Sequence, residues 1–307
     1  MPEGHSPLKS LAATLGAGCL LIVSLVGCGL TAKQKLALTS FSRSVVTLGE
    51  ATSAEMQVFR ADGIQANVQV LLLRGETVTP GLPKLASLDR GYELSRVQPV
   101  IRAADALAAY GKTLAALTGN TQADDLKKAG MDFVPSLSQL PEAKDLGQAQ
   151  FDAFGTVIQE VGGLWVGCKR KQALVLLVDR FGPAMDKLCD RLSQDFSAGP
   201  TRAKGWIYLQ LELSNDRLEA AAFDHFSAST TYPARKEGLD AYRLASDLRA
   251  HRDEACSRIS SLAAALKKAH AKVVLSLQDG NPAIEDPQEL GERASDLKSA
   301  MELLLHH

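Results

Sequence analysis

Leu248, Arg252, Ala255, Ile259, Leu262, Leu266, Ala269 and Val273 follow one another at alternating spacings of four and three residues. An α-helix turns once in about 3.6 residues, so this spacing lays one stripe along one helix face; a strand would scatter the same residues over both of its faces. The stripe is apolar apart from Arg252, and it predicts a long helix ending at Gly280-Asn281-Pro282. The same rhythm runs through Leu38, Phe41, Val45, Leu48, Thr52, Glu55 and Phe59, which predicts a helix from about Lys33 to Leu73 with a coiled-coil-like seam.

Between these two segments the pattern is helical throughout. Arg74 to Lys84 holds two glycines and two prolines and is expected to be a loop. A second helix is expected from about Gln98, with Pro99 in its first turn and Ile101, Ala104, Leu107, Ala108, Leu114 and Leu117 on its stripe. Thr121 with Asp124 opens a short helix to Lys128, and residues 130–141 read as a connection. A third helix spans residues 142–196, with bends expected at Gly162-Gly163 and Gly182-Pro183. Thr201 is the expected cap of a fourth, which turns Trp206, Leu209, Leu213, Leu218 and Phe223 to the core. Ser227 to Pro233 should turn the chain, because its hydroxyls compete for backbone hydrogen bonds, and a last helix is expected over residues 288–305. No strand pattern of useful length occurs. The fold class this implies is all-α: an elongated up-and-down bundle of long antiparallel, coiled-coil-like helices, with residues 33–307 forming one body.

Composition agrees. Hydrophobic residues make up 46% and charged residues 22% of the chain, a globular balance, while aromatic residues are only 5%, which favours helices over sheets. The formal net charge of −1 carries no bias toward nucleic acid, and no such partner is expected.

The first 27 residues have a different character. Lys9 is the one side-chain cation among residues 1–10, and Leu11 to Val26 contains no charged residue. A basic start, an apolar core and small residues at the end form the pattern of a secretory signal peptide, too short at sixteen uncharged residues for the roughly 20 that span a bilayer. Leu25-Val26-Gly27-Cys28 resembles the lipobox of bacterial lipoproteins. The resemblance implies cleavage between Gly27 and Cys28, removal of residues 1–27, diacylglycerol on the Cys28 sulfur and acylation of its new amine. Each buried CH₂ adds roughly 0.8 kcal/mol, so two or three chains hold a protein firmly on a membrane. Gly29 stands where an Asp would favour inner-membrane retention, so the implied address is the periplasmic face of the outer membrane. Cys19 also follows a small residue, but Gly16 occupies the place where leucine is wanted. Residues 28–32 would be a very short tether, holding the body close to the bilayer.

Cys168, Cys189 and Cys256 lie on apolar stripes and read as buried thiols. No metal-hydrolase helix, phosphate loop, nucleophile elbow, Cys-x-x-Cys or haem attachment motif occurs, and no cofactor is expected. The one metal-like spacing is Asp247, His251 and Glu254, which a helix places on one face; Arg243, Arg249 and Arg252 beside them favour a solvated face of ion pairs instead. Glu219, Asp224 and His225 form a second acid–imidazole group near the expected turn. His270 reads as a helix-end residue, Lys169-Arg170-Lys171 beside Trp165 as a solvated basic surface, and His306-His307 as a frayed end. The body resembles no nameable family. The expectation is a non-enzymatic, lipid-anchored module of the cell envelope that recruits, spaces or sequesters a protein partner. The alternative is a helical protein or enzyme that holds a metal or small ligand between helices.

Overall fold

The computed structural model describes residues 30–75, 88–119, 123–138, 166–200 and 203–279, with isolated positions at 140, 152, 155, 156, 292, 294 and 295. Six helices make up almost all of these: α1 (Ala32–Leu73), α2 (Leu94–Thr118), α3 (Ala123–Ser138), α4 (Val166–Asp195), α5 (Trp206–Ala228) and α6 (Tyr232–Asp279). No strand occurs among the described residues, and no helix there is long and apolar enough to cross a membrane. The molecule is an all-α bundle.

α1 and α6 set its length. At 42 and 48 residues they measure about 63 and 72 Å at 1.5 Å per residue. They lie antiparallel along their whole contact: Gln34 Nε2 donates to the Ser276 carbonyl at 2.9 Å near one end, and Ala66 and Val70 share a buried cluster with Ala241 and Ala245 near the other. α1 starts with a reciprocal cap, in which Thr31 Oγ1 accepts from the Gln34 amide and Gln34 Oε1 accepts from the Thr31 amide.

The remaining helices divide this length between them. The lower half is a four-helix packet of α1, α2, α4 and α6, with α3 laid across α2 and α4. Its core holds Phe41, Leu48, Leu107, Tyr110, Phe133, Phe181, Leu188, Ile259 and Leu266, each at most 2% exposed. The upper half is a smaller three-helix packet of α1, α5 and α6 around Leu218, Ala221, Ala222, Ala241 and Ala245. α4 and α5 meet end to end across residues 196–205, where the Gly205 amide donates to the Ser197 carbonyl at 2.8 Å. Ser193 pairs with Ser260, while Tyr208 reaches Asp253 and Arg249 reaches Glu219, so α4 and α5 run in one direction and α6 returns past both.

α1 and α2 approach closely because small residues line their contact. A Cβ on Gly49 would lie 2.5 Å from the Ala104 carbonyl oxygen and 2.8 Å from the Ala108 methyl, and one on Gly111 would meet the Ser42 carbonyl oxygen at 2.8 Å. The chain enters α2 through a turn closed by Gly91, whose φ of +87° is left-handed and which L side chains rarely adopt. Asn67 on α1 secures this turn by donating to the Leu88 carbonyl at 2.8 Å.

Several boundaries depart from expectation. α2 begins at Leu94, and Pro99 lies inside it. α3 continues through Gly130 and Pro135 to Ser138, and α4 continues through Gly182-Pro183. In each case burial against neighbours outweighs the lost amide donor. The fourth expected helix starts at Trp206, with Gly205 as its cap, and not at Thr201. On that helix Leu209, Leu213 and Phe223 face solvent; its buried side is Ile207, Tyr208, Leu211, Ser214, Asn215, Leu218, Ala221 and Ala222. The turn expected at Ser227 to Pro233 separates α5 from α6. The expected bend at Gly162-Gly163 and the last helix over 288–305 lie outside the described residues, apart from isolated positions in the latter.

Candidate functional site

The imidazole of His251 does not join its helix neighbours. Asp247 is exposed on α6, and Glu254 pairs with Arg258 one turn along at 2.7 Å. His251 turns instead toward α1, with Nε2 2.6 Å from Glu55 Oε1 and Nδ1 3.4 Å from Asp62 Oδ2. Phe59, between those two carboxylates in sequence, packs against the ring at a centroid distance of 5.3 Å. Burial alone pulls the His251 pKa down, but its contacts with Asp62 and Glu55 outweigh that and hold it up at about 9. The ring is therefore a cation at neutral pH, clamped between two carboxylates of the facing helix. A protonated imidazole has no lone pair to give a metal, and no group of three His, Cys, Asp or Glu among the described residues is placed to hold one. Asp247, His251 and Glu254 are not brought together; the solvated-face reading holds for Asp247, Glu254, Arg243 and Arg249 and fails for His251 and Arg252, which point inward.

Arg252 is the second buried cation of this layer, with 4% of its surface exposed. Its Nε and Nη2 donate to Asp253 Oδ1 at 2.8 and 2.7 Å, and its guanidinium lies 4.6 Å from the centroid of the Tyr208 ring. Tyr208 donates to the same Asp253 oxygen at 2.8 Å, and Tyr92 donates to Ser214 Oγ at 3.0 Å. Burial, chiefly, pushes the Tyr92 hydroxyl up to about 12.

His270 occupies a comparable position lower on α6. It is buried nine residues before the helix ends at Asp279, which corrects the helix-end reading. Its Nε2 lies 3.0 Å from the Tyr110 hydroxyl and its Nδ1 2.9 Å from Asp186 Oδ1, while Phe41 stacks on the ring at 5.8 Å. Gly182 makes room for it, since a Cβ there would lie 2.7 Å from the imidazole Cε1. Tyr110 is raised well above the ordinary phenol range by its burial. The chain Tyr110–His270–Asp186 ties α2, α6 and α4 together, with the tyrosine and imidazole buried and the Asp186 side chain 36% exposed at its outer end.

The other sequence candidates separate. Glu219 pairs with Arg249, Asp224 is exposed, and His225 Nδ1 meets the Leu73 carbonyl at 3.1 Å, fastening the end of α5 to the end of α1. Cys189 and Cys256 are free, buried thiols, and burial pushes the Cys189 thiol up to about 12. Arg170 donates to the Gly119 carbonyl, so this member of the basic triplet braces α4 against the end of α2. Cys28, Gly27, Cys19, Trp165 and His306-His307 lie outside the described residues, as do the side chains of Cys168 and Lys169.

One surface stands out. At the α5–α6 turn Phe223, Phe226, Tyr232, Leu239 and Tyr242 are exposed, Phe223 to 66% and Tyr232 to 80%. Helical geometry puts Phe223, Phe226, Leu239 and Tyr242 on one side: Ala222 and Gly238 face each other across the hairpin, Ala221 and Ala241 point to α1, and these four point away from it. The Arg235 guanidinium sits 5.7 Å over the Phe226 ring. Lys236 with Asp240 supplies both signs of charge beside the patch, and His225 Nε2 lies 3.6 Å from Glu237. Exposed aromatic groups in such a setting are the composition of a protein-binding surface. A helix stripe read from spacing alone assigned Phe223 to the core; the alanines that fill the hairpin contact were the signal that the large side chains belong outside.

No family model, no curated protein and no solved structure matches this chain.

Proposed function

We propose that this protein is a lipid-anchored module of the bacterial cell envelope that docks a protein partner at the α5–α6 tip. The anchor is the acylated Cys28, on the periplasmic face of the outer membrane, and the body acts by recruiting or sequestering its partner without catalysis. The observation that carries this reading is the relation between the two ends of α1. Leu30, two residues after Cys28, already packs against the main core, and Thr31 caps the helix. The uninterrupted helix then rises about 60 Å to Leu73, beside the exposed aromatic tip. A body so attached would hold its base at the membrane and its apolar surface far from it.

Two measurements test the proposal. Growth with an alkyne-bearing fatty acid should label the protein, and Cys28→Ala should abolish the label and release the protein from membranes. A photoreactive residue at Tyr242 should give a discrete cross-link to one envelope protein, whereas the same residue at Lys268 on the opposite half of α6 should not. Label persisting on Cys28→Ala defeats the anchor, and equal cross-linking at both positions defeats the tip.

A further inference from the structure

The lower end of the bundle, where α1 starts and α6 stops, carries exposed side chains unlike those at the tip. The hydrogen bond from Gln34 Nε2 to the Ser276 carbonyl sets the level at which the two helices pass. Lys33, Lys35 and Leu36 lie within two residues of Gln34, and Lys272 and Leu275 within four of Ser276. At 1.5 Å per residue all five fall within about 6 Å of that level along the helix axes. Gln34 is buried, but Lys33 and Lys35 beside it are exposed, and Leu36 and Leu275 are 69% and 51% exposed. Lys272 is half-buried, and Lys268, one turn higher on α6, is exposed.

These cations have few acids near them. No Asp or Glu occurs from Cys28 to Gly49 or from Ala255 to Gln278, and Asp279 is the last residue of α6. On α4, which faces this stretch of α6, Asp186 is met by His270 and Asp190 by Lys267. Asp125 and Lys128, exposed near the start of α3, offset each other in charge.

The composition says what fits. Protein interfaces are enriched in aromatic residues and depleted in lysine, which describes the tip and not this end. Exposed leucines among lysines suit an anionic bilayer: ammonium groups meet phosphates, while leucines and lysine stems reach toward the acyl chains. We propose that this lower end is an anionic-lipid contact, in which Lys33, Lys35 and Lys272 engage phospholipid headgroups and Leu36 and Leu275 enter the headgroup–acyl boundary. The inference rests on the Cys28 anchor proposed above, which delivers this end of the body to a membrane. An acyl tether alone leaves a body free to tilt, and the charged contact orients it.

The test uses the full chain, purified in detergent and reconstituted in vesicles, with a benzophenone residue at Leu36, Leu275 or Tyr242. After irradiation, mass spectrometry identifies the adducts. Phospholipid adducts are expected at Leu36 and Leu275 in vesicles of phosphatidylcholine with phosphatidylglycerol, falling away in phosphatidylcholine alone, and none at Tyr242. Lys33→Gln with Lys35→Gln should lower the yield at Leu275 by about five-fold per lysine, the worth of one basic side chain at an anionic surface. Arg217→Gln with Arg243→Gln removes the same charge from exposed positions in the upper half and should leave the yield unchanged. Equal adducts in both vesicle types, equal losses in both variants, or adducts to a second copy of the chain in place of lipid each overturn the proposal. The intact mass of the same sample reports acylation of Cys28 separately. An acylated chain without lipid adducts at Leu36 and Leu275 refutes this contact and leaves the anchor standing, and phosphatidylglycerol-dependent adducts on an unacylated chain do the reverse.

Discussion

His251 Nε2 and Glu55 Oε1 stand 2.6 Å apart, with 12% and 3% of their side-chain surfaces exposed. This contact joins the two longest helices where the four-helix packet gives way to the three-helix one. Removing Glu55 breaks a buried pair and leaves His251 with only the longer Asp62 contact, a loss of up to about 3–5 kcal/mol. Glu55→Ala is therefore expected to lower the urea midpoint sharply, and Asp62→Ala, at the longer 3.4 Å contact, less so.

The same contact sets a pH dependence. The His251 pKa rises from 6.5 to about 9 on folding. Because the folded value is the higher one, its contribution is fully present below about pH 6.5, declines from there, and is lost as pH rises through about 9. Urea denaturation between pH 6 and 10 should show this decline, and His251→Gln should flatten it. An unchanged slope in the variant would assign the titration elsewhere.

Gly49→Ala tests the α1–α2 contact. On an open helix this change stabilises by up to about 1 kcal/mol. Here the new methyl meets the Ala104 carbonyl oxygen at 2.5 Å, so a net loss of about 1–3 kcal/mol is expected in thermal denaturation.

Tyr110→Phe keeps the ring and removes the hydroxyl that meets His270 Nε2. An imidazole nitrogen left buried without a partner costs about 1–3 kcal/mol. Chemical denaturation should register that loss, and no change would mean the hydrogen bond is absent in solution.

Cys189 and Cys256 should resist alkylation in the native protein at pH 8 and react once it is unfolded, as mapped by mass spectrometry of the modified peptides. Thiolate is the reactive form, and burial suppresses it at both positions.

The helices were legible wherever the apolar stripe was long. Residues 33–73 differ by one position from α1, and the stripe from Leu248 to Val273 lies within α6. Polar members of those stripes, Thr52, Glu55 and Arg252, are buried, and for Arg252 this overturns the solvated face of ion pairs expected around it. What spacing along one helix cannot give is the partner across the seam. Asp247, His251 and Glu254 share a face of α6, yet the carboxylates that engage His251 come from α1. A charged residue on an apolar stripe needs a counter-charge, so Glu55 and Arg252 were the residues to question. The prolines misled for a related reason. Pro99, Pro135 and Pro183 each cost a backbone bond, but the tertiary contacts of α2, α3 and α4 keep those helices whole. Helical spacing places Leu209, Leu213 and Phe223 on one inward stripe, whereas the buried side of α5 is the neighbouring one, Ile207, Leu211, Leu218, Ala221 and Ala222.

The end-to-end placement of α4 and α5 against an unbroken α6 has a mechanical consequence. A pull on the aromatic end is carried to the opposite end by α1 and α6 as two parallel struts, and the α4–α5 junction never bears it alone. The body should respond to such a tug as a stiff lever, delivering force at its foot with little stretch between.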